Sequence, residues 1–340
     1  MRARTILGTS VRGAFATSVA MLVFLAAGTV AHAAPLALYV TDGDVIHGFN
    51  ATTGAPLPGF ADIALLGATG LAVGPDSNLY AANTIPSQVF RYDAATGTQI
   101  GAAPFVSFNG QNDGHDVQNP QGMRFGPGGN LYIADETDSN VHVYGPAGNS
   151  LTTFTGPSVT QPTDVTFDAA GNLYAASGGG VAILHPGDAA FSDFVTAFSG
   201  PGVPPLNNPG SLAIGPDGRL YVLDISASST EVVAYATNTG PNPAGTVFVS
   251  FTGPDLGLFQ PADLAFGPDG KLYVSGLDFN TSFGEVLRFT AAGAADGVFE
   301  TGLVNPTFLA FSTPEPASMV LFAVGIPMLL VAASRRRRRA

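Results

Sequence analysis

Two sets of polar residues recur at fixed places in this chain, and both carry atoms that could do chemistry. One set is an amide followed by proline: Asn119-Pro120, Gln161-Pro162, Asn208-Pro209, Gln260-Pro261 and Asn305-Pro306, with Gly67-Ala68 as the exception. The other lies three residues after a recurring tyrosine: Asp42, Asn83, Asp135, Ser177, Asp224 and Gly276. Asp164 and Asp263 add carboxylates close to the amide-proline set. Oxygen ligands contributed by separate segments are what a hard divalent cation takes, so Asp135, Asp164, Asp224 and Asp263 are the candidate metal ligands, with calcium as the ion. The same residue types also cap turns by accepting their own backbone N–H groups. Repetition in every unit suits that folding role and makes it the leading expectation.

A long polar insertion runs from Asn109 to Gln118 and holds His115 between Asp113 and Asp116. Loops of this kind often carry function, and His115 is the one candidate general base. His47, His142 and His185 fall in or just after strands that lie away from the centre, and are expected to be structural. No serine sits in a Gly-x-Ser-x-Gly elbow, and the absence of cysteine excludes thiol nucleophiles and thiolate metal sites. The segment from Ala34 to Ser312 has Arg91, Arg124, Arg219, Lys271 and Arg288 against 24 acidic residues, a net charge of −19. That balance repels nucleic acid and anionic lipid.

The elements that must position these residues repeat six times. Leu38-Tyr39-Val40, Leu79-Tyr80-Ala81, Leu131-Tyr132-Ile133, Leu173-Tyr174-Ala175, Leu220-Tyr221-Val222 and Leu272-Tyr273-Val274 place their tyrosines 41, 52, 42, 47 and 52 residues apart. That period is the length of one four-stranded sheet with its turns, the unit of a β-propeller. Five of the tyrosine strands follow an apolar strand and a tight turn such as Gly74-Pro75-Asp76-Ser77-Asn78 or Gly267-Pro268-Asp269-Gly270. Proline sets φ early in the turn, and Gly or Asn accepts the left-handed position that reverses the chain. The first tyrosine strand lacks such a partner, and Asn305 to Phe311 is an inner-strand phrase with no tyrosine strand after it. The two defects complement each other, so the last strand is expected to pair beside Leu36 to Val40 and close a ring of six blades. A tyrosine that returns once per blade is expected to pack between blades rather than to bind a ligand.

The ends read as addresses. Residues 1–33 combine Arg2, Arg4 and Arg12, an apolar run from Ala14 to Val30, and Ala31-His32-Ala33, the pattern of a secretory signal peptide cut after Ala33. Residues 34–312 are the propeller. Residues 313–340 hold Pro314-Glu315-Pro316, an uncharged stretch to Ser334 long enough to span a bilayer as a helix, and Arg335, Arg336, Arg337, Arg338 and Arg339.

This three-part tail resembles the PEP-CTERM sorting signal of Gram-negative bacteria. The resemblance implies transient anchoring in the inner membrane by the C-terminal helix and processing by an exosortase-type membrane protease. It also implies a cell-envelope or extracellular location tied to exopolysaccharide and biofilm material. The phrase of a strand, Pro-Asp-Gly and Leu-Tyr-Val-x-Asp over residues 36–311 resembles NHL and YVTN-type propeller repeats, although the Asn-Arg pairs common in NHL repeats are mostly missing. The resemblance implies an all-β propeller and leaves activity open. Gluconolactonase-like propellers use a divalent ion and a channel glutamate, and no glutamate occupies an inner-strand position here. Streptogramin-lyase-like propellers use a histidine on the loop-rich face, the expected place of His115. The expectation is an exported, non-catalytic propeller that binds polysaccharide or a surface protein. The alternative is a divalent-cation-dependent lactonase-type hydrolase or lyase, using Asp164, Asp263, the ladder aspartates and His115.

Overall fold

The structure, a computed structural model, describes residues 36–107, 117–196, 206–225, 230–251 and 259–312. Residues 1–33, expected from the sequence to be a secretory signal, His115, and the tail with Pro314 to Pro316 and Arg335 to Arg339 lie outside the described residues. Those that are described form six four-stranded antiparallel sheets.

Each sheet is one repeat. The inner strands are β4 (Ala68–Val73), β8 (Pro120–Phe125), β12 (Asp164–Phe167), β16 (Pro209–Ile214), β20 (Phe259–Phe266) and β24 (Pro306–Phe311). The tyrosine strands β1 (Ala37–Asp42), β5 (Leu79–Thr84), β9 (Leu131–Asp135), β13 (Leu173–Ser177), β17 (Leu220–Ile225) and β21 (Leu272–Asp278) lie second. Third strands follow as β2 (Val45–Asn50), β6 (Ser87–Tyr92), β10 (Asn140–Tyr144), β14 (Gly180–Leu184), β18 (Thr230–Tyr235) and β22 (Phe283–Phe289). Outer strands such as β11 (Ser150–Phe154) and β19 (Gly245–Ser250) complete the blades.

The ring closes as the two complementary defects require. β24 pairs antiparallel with β1, joining Leu38 to Phe311, Tyr39 to Ala310 and Val40 to Leu309, and the first sheet runs in the order β24, β1, β2 and β3 (Ile63–Ala64). Beyond the strand, the Ala37 N–H bonds the Ser312 hydroxyl at 2.7 Å, and the Ser312 N–H bonds the Ala37 carbonyl at 2.8 Å. No strand edge is left open at the seam.

The apolar core lies between the blades. Tyr80, Val89 and Val106 of blade 2 pack with Met123, Leu131 and Ile133 of blade 3, and equivalent clusters occupy the other junctions. The tyrosines act as expected. Tyr80, Tyr132, Tyr221 and Tyr273 meet Phe125, Phe167, Phe266 and Phe311 of the following inner strand edge-to-face, at centroid distances of 4.7–5.0 Å. The hydroxyls of Tyr80, Tyr174, Tyr221 and Tyr273 donate to Asp76, Asp168, Asp217 and Asp269 of the turn before them at 2.9–3.1 Å. Each of these four turns therefore does two jobs: it reverses the chain and supplies the acceptor that a mostly buried phenol needs.

Candidate site in the channel and on the strand-entry face

The antiparallel register places the loops that enter the inner strands and the hairpins that leave the tyrosine strands on one face, here the entry face. Asp42 pairs with Pro306, Asp135 with Pro120 and Asp224 with Pro209, so both polar ladders meet there.

What the ladder residues do is local and repeated. Asp42 accepts the N–H groups of Val304 and Asn305. Asp135 accepts those of Gln118, Asn119, Thr137 and Asp138 at 3.0–3.4 Å, and Asp224 accepts those of Asn207 and Asn208 at 2.7–3.2 Å. The Ser177 hydroxyl takes the Thr160 N–H at 2.8 Å, and the Asn83 amide donates to the Leu66 carbonyl of the entry loop at 3.4 Å and to the Ile85 carbonyl at 2.9 Å. Each of these side chains ties the entry loop of its own blade to the end of its tyrosine strand. In blade 6 the position is Gly276, where a Cβ would lie 2.3 Å from the Gln260 carbonyl, so the backbone itself fills the place.

The three ladder aspartates differ in electrostatics. Burial pushes Asp224 above the usual carboxylate range despite its two N–H donors. Burial acts the same way on Asp42 and Asp135, but a neighbouring imidazole, His47 or His142, together with the N–H donors outweighs it and holds both below that range.

Asp164 and Asp263 lie elsewhere, in the wall of the channel. Each is the third residue of a Pro-x-x-apolar phrase, and Ser211 holds the same place in the blade between them. Asp164 accepts the Leu212 N–H of the next blade at 2.8 Å, the Ser211 hydroxyl oxygen accepts that of Leu264 at 3.2 Å, and Asp263 accepts that of Leu309 at 2.7 Å. The Ser211 hydroxyl also bonds Asp263 and stands 3.3 Å from Asp164. A belt of side-chain bonds thus runs around the channel from blade 4 to blade 1. Where the belt stops, glycine replaces the side chain. Gly122 donates directly to the Thr163 carbonyl at 2.9 Å, and a Cβ on it would sit 2.1 Å from Asp164 Oδ1.

Both belt carboxyls are buried, and desolvation raises both pKa values, that of Asp263 to about 7 with the Asp164 charge adding to the rise. Arg124 acts in the opposite sense on both and is outweighed. Its Nε is buried and has no hydrogen-bond partner among the described residues. Arg124, Thr166, Ala213, Ala265 and the edges of Phe167 and Phe266 line a cavity of about 430 Å³ at the opposite, exit end of the channel.

Of the four candidate ligands, Asp164 and Asp263 are therefore brought together through Ser211, whereas Asp135 and Asp224 remain in separate blades as loop caps. One cluster with metal-ligand character does form among the described residues: Asp135, Asp138 and His142, with ligand atoms within 4.8 Å of one another. Its sequence signal is Asp-x-x-Asp-x-x-x-His across the hairpin of β9 and β10. The entry face also shows five large apolar side chains, Leu66, Ile85, Phe279, Phe283 and Val304, that are 55–76% exposed. They belong to the hairpins and entry loops of blades 6, 1 and 2. The contacts between Gly43 and Asn305 and between Gly67 and Asp44 join the loops of blades 1 and 2.

Comparison with known proteins agrees with this architecture. Residues 62–179 match the family described as SMP-30/Gluconolactonase/LRE-like region, and residues 312–339 match the PEP-CTERM protein-sorting motif. The propeller resembles a chain of the nidogen/laminin complex (TM-score 0.58, 14% identity, covering 83% of this chain and 100% of that one). It also resembles a gluconolactonase from Xanthomonas campestris (0.53, 16%, 80% and 85%) and virginiamycin B lyase from Staphylococcus aureus (0.52, 13%, 76% and 83%). At these identities the likeness is one of fold. A search of the curated proteins found no match. The sorting motif marks export to the cell envelope or beyond and implies processing by exosortase, a membrane protease. The chain is thus a six-bladed β-propeller that resembles the SMP-30/gluconolactonase/LRE-like family over residues 62–179 and carries a PEP-CTERM protein-sorting motif at residues 312–339.

Proposed function

We propose that this protein is a non-catalytic binding propeller of the cell surface or extracellular matrix, whose entry face engages polysaccharide. In this reading residues 1–33 are removed as a secretory signal, and the tail holds the protein in the inner membrane until it is cut near Pro314 to Pro316. The observation that carries the reading is the division of labour among the polar residues. The ladder aspartates cap entry loops and the channel aspartates staple blades, while five large apolar side chains project from the entry face among polar neighbours such as Asp44 and Asn280. Exposed aromatic and aliphatic groups on a face rimmed by carboxylates suit sugar rings, which offer C–H faces for packing and hydroxyl donors for the acidic rim.

Direction supports the same reading. β24 runs from the entry face to the exit face, so the tail departs beside Ser312 at the exit end. A ring tethered there turns its entry face away from the membrane.

The test is binding of the purified protein to exopolysaccharide from its producing cells, followed by calorimetry. Phe279→Ala combined with Phe283→Ala should weaken binding about tenfold or more, and Asp263→Asn should leave it unchanged. Loss of binding in Asp263→Asn alone, or retention in the double variant, contradicts the reading. A surface protein captured in place of polysaccharide would keep the face and change the partner.

A second reading rests on one specific observation. The buried Asp164 and Asp263 carboxyls feel the charge of Arg124, which lines the exit-end cavity, and a carboxyl with its pKa near neutrality can serve as a general acid. Lactone hydrolysis or lyase turnover abolished by Asp263→Asn would establish that reading.

A further inference from the structure

We propose that Asp135, Asp138 and His142 form a binding site for one divalent first-row transition ion of the zinc class, on the entry rim of blade 3. The cluster lies outside the channel and does not depend on the polysaccharide reading. His142 is 1% exposed and Asp135 fully buried. Among the described residues His142 Nε2 makes no hydrogen bond, and it points at Asp135 Oδ2 from 3.5 Å. The other ring nitrogen, Nδ1, stands 3.3 Å from the Thr153 hydroxyl, across the strand pair that joins β10 to β11. In the tautomer whose Nδ1–H donates to that hydroxyl, Nε2 presents a lone pair, and a cation seated between it and the carboxylates would be coordinated by both.

Asp135 is prepared for this. Its Oδ1 takes the N–H groups of Asn119, Thr137 and Asp138, and its Oδ2, which takes only Gln118, is the oxygen that faces the imidazole. Asp138, half-buried on the hairpin turn, supplies the third ligand.

Blade 1 holds a natural control. The His47 side chain approaches Asp42 as that of His142 approaches Asp135, with Nε2 3.5 Å from the carboxylate. Its Nδ1, however, faces Asp62 at 3.1 Å where His142 meets a neutral threonine. The His47 ring is thus held by a carboxylate on each side, whereas the His142 ring meets carboxylate oxygen on one side only. An imidazole nitrogen with two carboxylates suits Zn²⁺, Co²⁺ or Mn²⁺, whereas Ca²⁺ takes oxygen ligands.

The experiment uses the full chain in detergent, without a polyhistidine tag and stripped by chelator. Calorimetry and thermal unfolding are followed with ZnCl₂, MnCl₂ and CaCl₂, and cobalt is added for its visible spectrum. The expected result is one equivalent of Zn²⁺ or Mn²⁺, a melting temperature that rises with metal concentration, and ligand-field bands for the cobalt form. Asp138→Asn should weaken binding about tenfold or more, His142→Gln should abolish the cobalt bands, and His47→Gln should bind like the parent. Because Asp138 lies on the turn, its variant keeps the test decisive even if His142→Gln does not fold. No saturable binding at millimolar Zn²⁺ and Mn²⁺, undiminished binding in Asp138→Asn, or equal binding of Ca²⁺ overturns the proposal.

Discussion

The substitution Asp42→Ala attacks the closure of the ring at a single carboxylate. Asp42 accepts the N–H groups of Val304 and Asn305, which lie 262 and 263 residues away in sequence and lead directly into the closing strand. Removal leaves two partly buried N–H groups without their charged acceptor. A hydrogen bond to a charged group contributes about 1.5–3 kcal/mol, and solvent reaching a partly buried loop returns some of it, so the loss should total about 3 kcal/mol. Asp224→Ala removes the same kind of cap, from Asn207 and Asn208, but over a separation of only 16–17 residues within one blade. The two variants should therefore unfold at similarly lowered denaturant midpoints while differing in where they open. In native-state hydrogen exchange, Asp42→Ala should speed exchange of the closing-strand amides near Leu309 by about a hundredfold, the factor equivalent to about 3 kcal/mol. Asp224→Ala should leave those amides as in the parent. A cost below about 0.5 kcal/mol for Asp42→Ala, or closing-strand exchange that does not separate the two variants, would refute the argument that this carboxylate secures the seam.

Three further outcomes follow from the same geometry. The bond to Asp42, supplemented by Asp62 and more distantly by Glu300, raises the pKa of His47, while that of Asp42 is lowered. The histidine's contribution is therefore complete below the free-imidazole value near ~6.5 and is lost as pH rises through its raised folded value. The aspartate's contribution is lost as pH falls through its depressed value. The stability gap between the parent and His47→Gln should be wide at acid-neutral pH and narrow at high pH, and an unchanged gap would contradict the pairing. Asp263 works in the other direction: with its folded pKa raised to about 7, ionisation of the buried carboxyl should lower stability as pH climbs from the unfolded value near ~4 through that point. Asp263→Asn, which still accepts the Leu309 N–H, should flatten this decline in urea titrations across that range. Finally, Gly122→Ala places its methyl against Asp164, with Cβ 2.8 Å from the Asp164 Cα, whereas Gly218→Ala meets nothing within 4 Å and strains only a positive φ of 77°. The first should cost several-fold more in chemical denaturation than the roughly 1 kcal/mol of the second, and equal costs would mean the inner strands are not in close contact there.

The fold is legible in the sequence because it repeats. Six tyrosines with their turns mark the period, and the Asn305 to Phe311 phrase without a tyrosine partner reveals the closure from the order of residues alone. The site is less legible, because its roles depend on which loop each side chain reaches. Asp42, Asp135 and Asp224 look alike along the chain, and only the presence or absence of a cross-strand histidine separates their electrostatics. The equivalence of Asp164, Ser211 and Asp263 is hidden by the change of residue type, although aligning the repeats on their prolines exposes it. His142 reads as structural along the chain because third strands lie away from the channel. Strand pairing, which puts Asn140 opposite Asp135 and His142 opposite Ile133, brings its imidazole back to the ladder.

Hydrogen exchange of the protein with and without its producing cells' exopolysaccharide tests the central claim most directly. Binding should protect amides of the entry face, around Gly43, Gly67, Ile85, Phe283 and Val304, and leave the exit-face turns at Gly74 to Asn78 and Gly267 to Lys271 unchanged. Protection centred instead on the exit-end cavity around Arg124, or no protection at saturating polysaccharide, would contradict it.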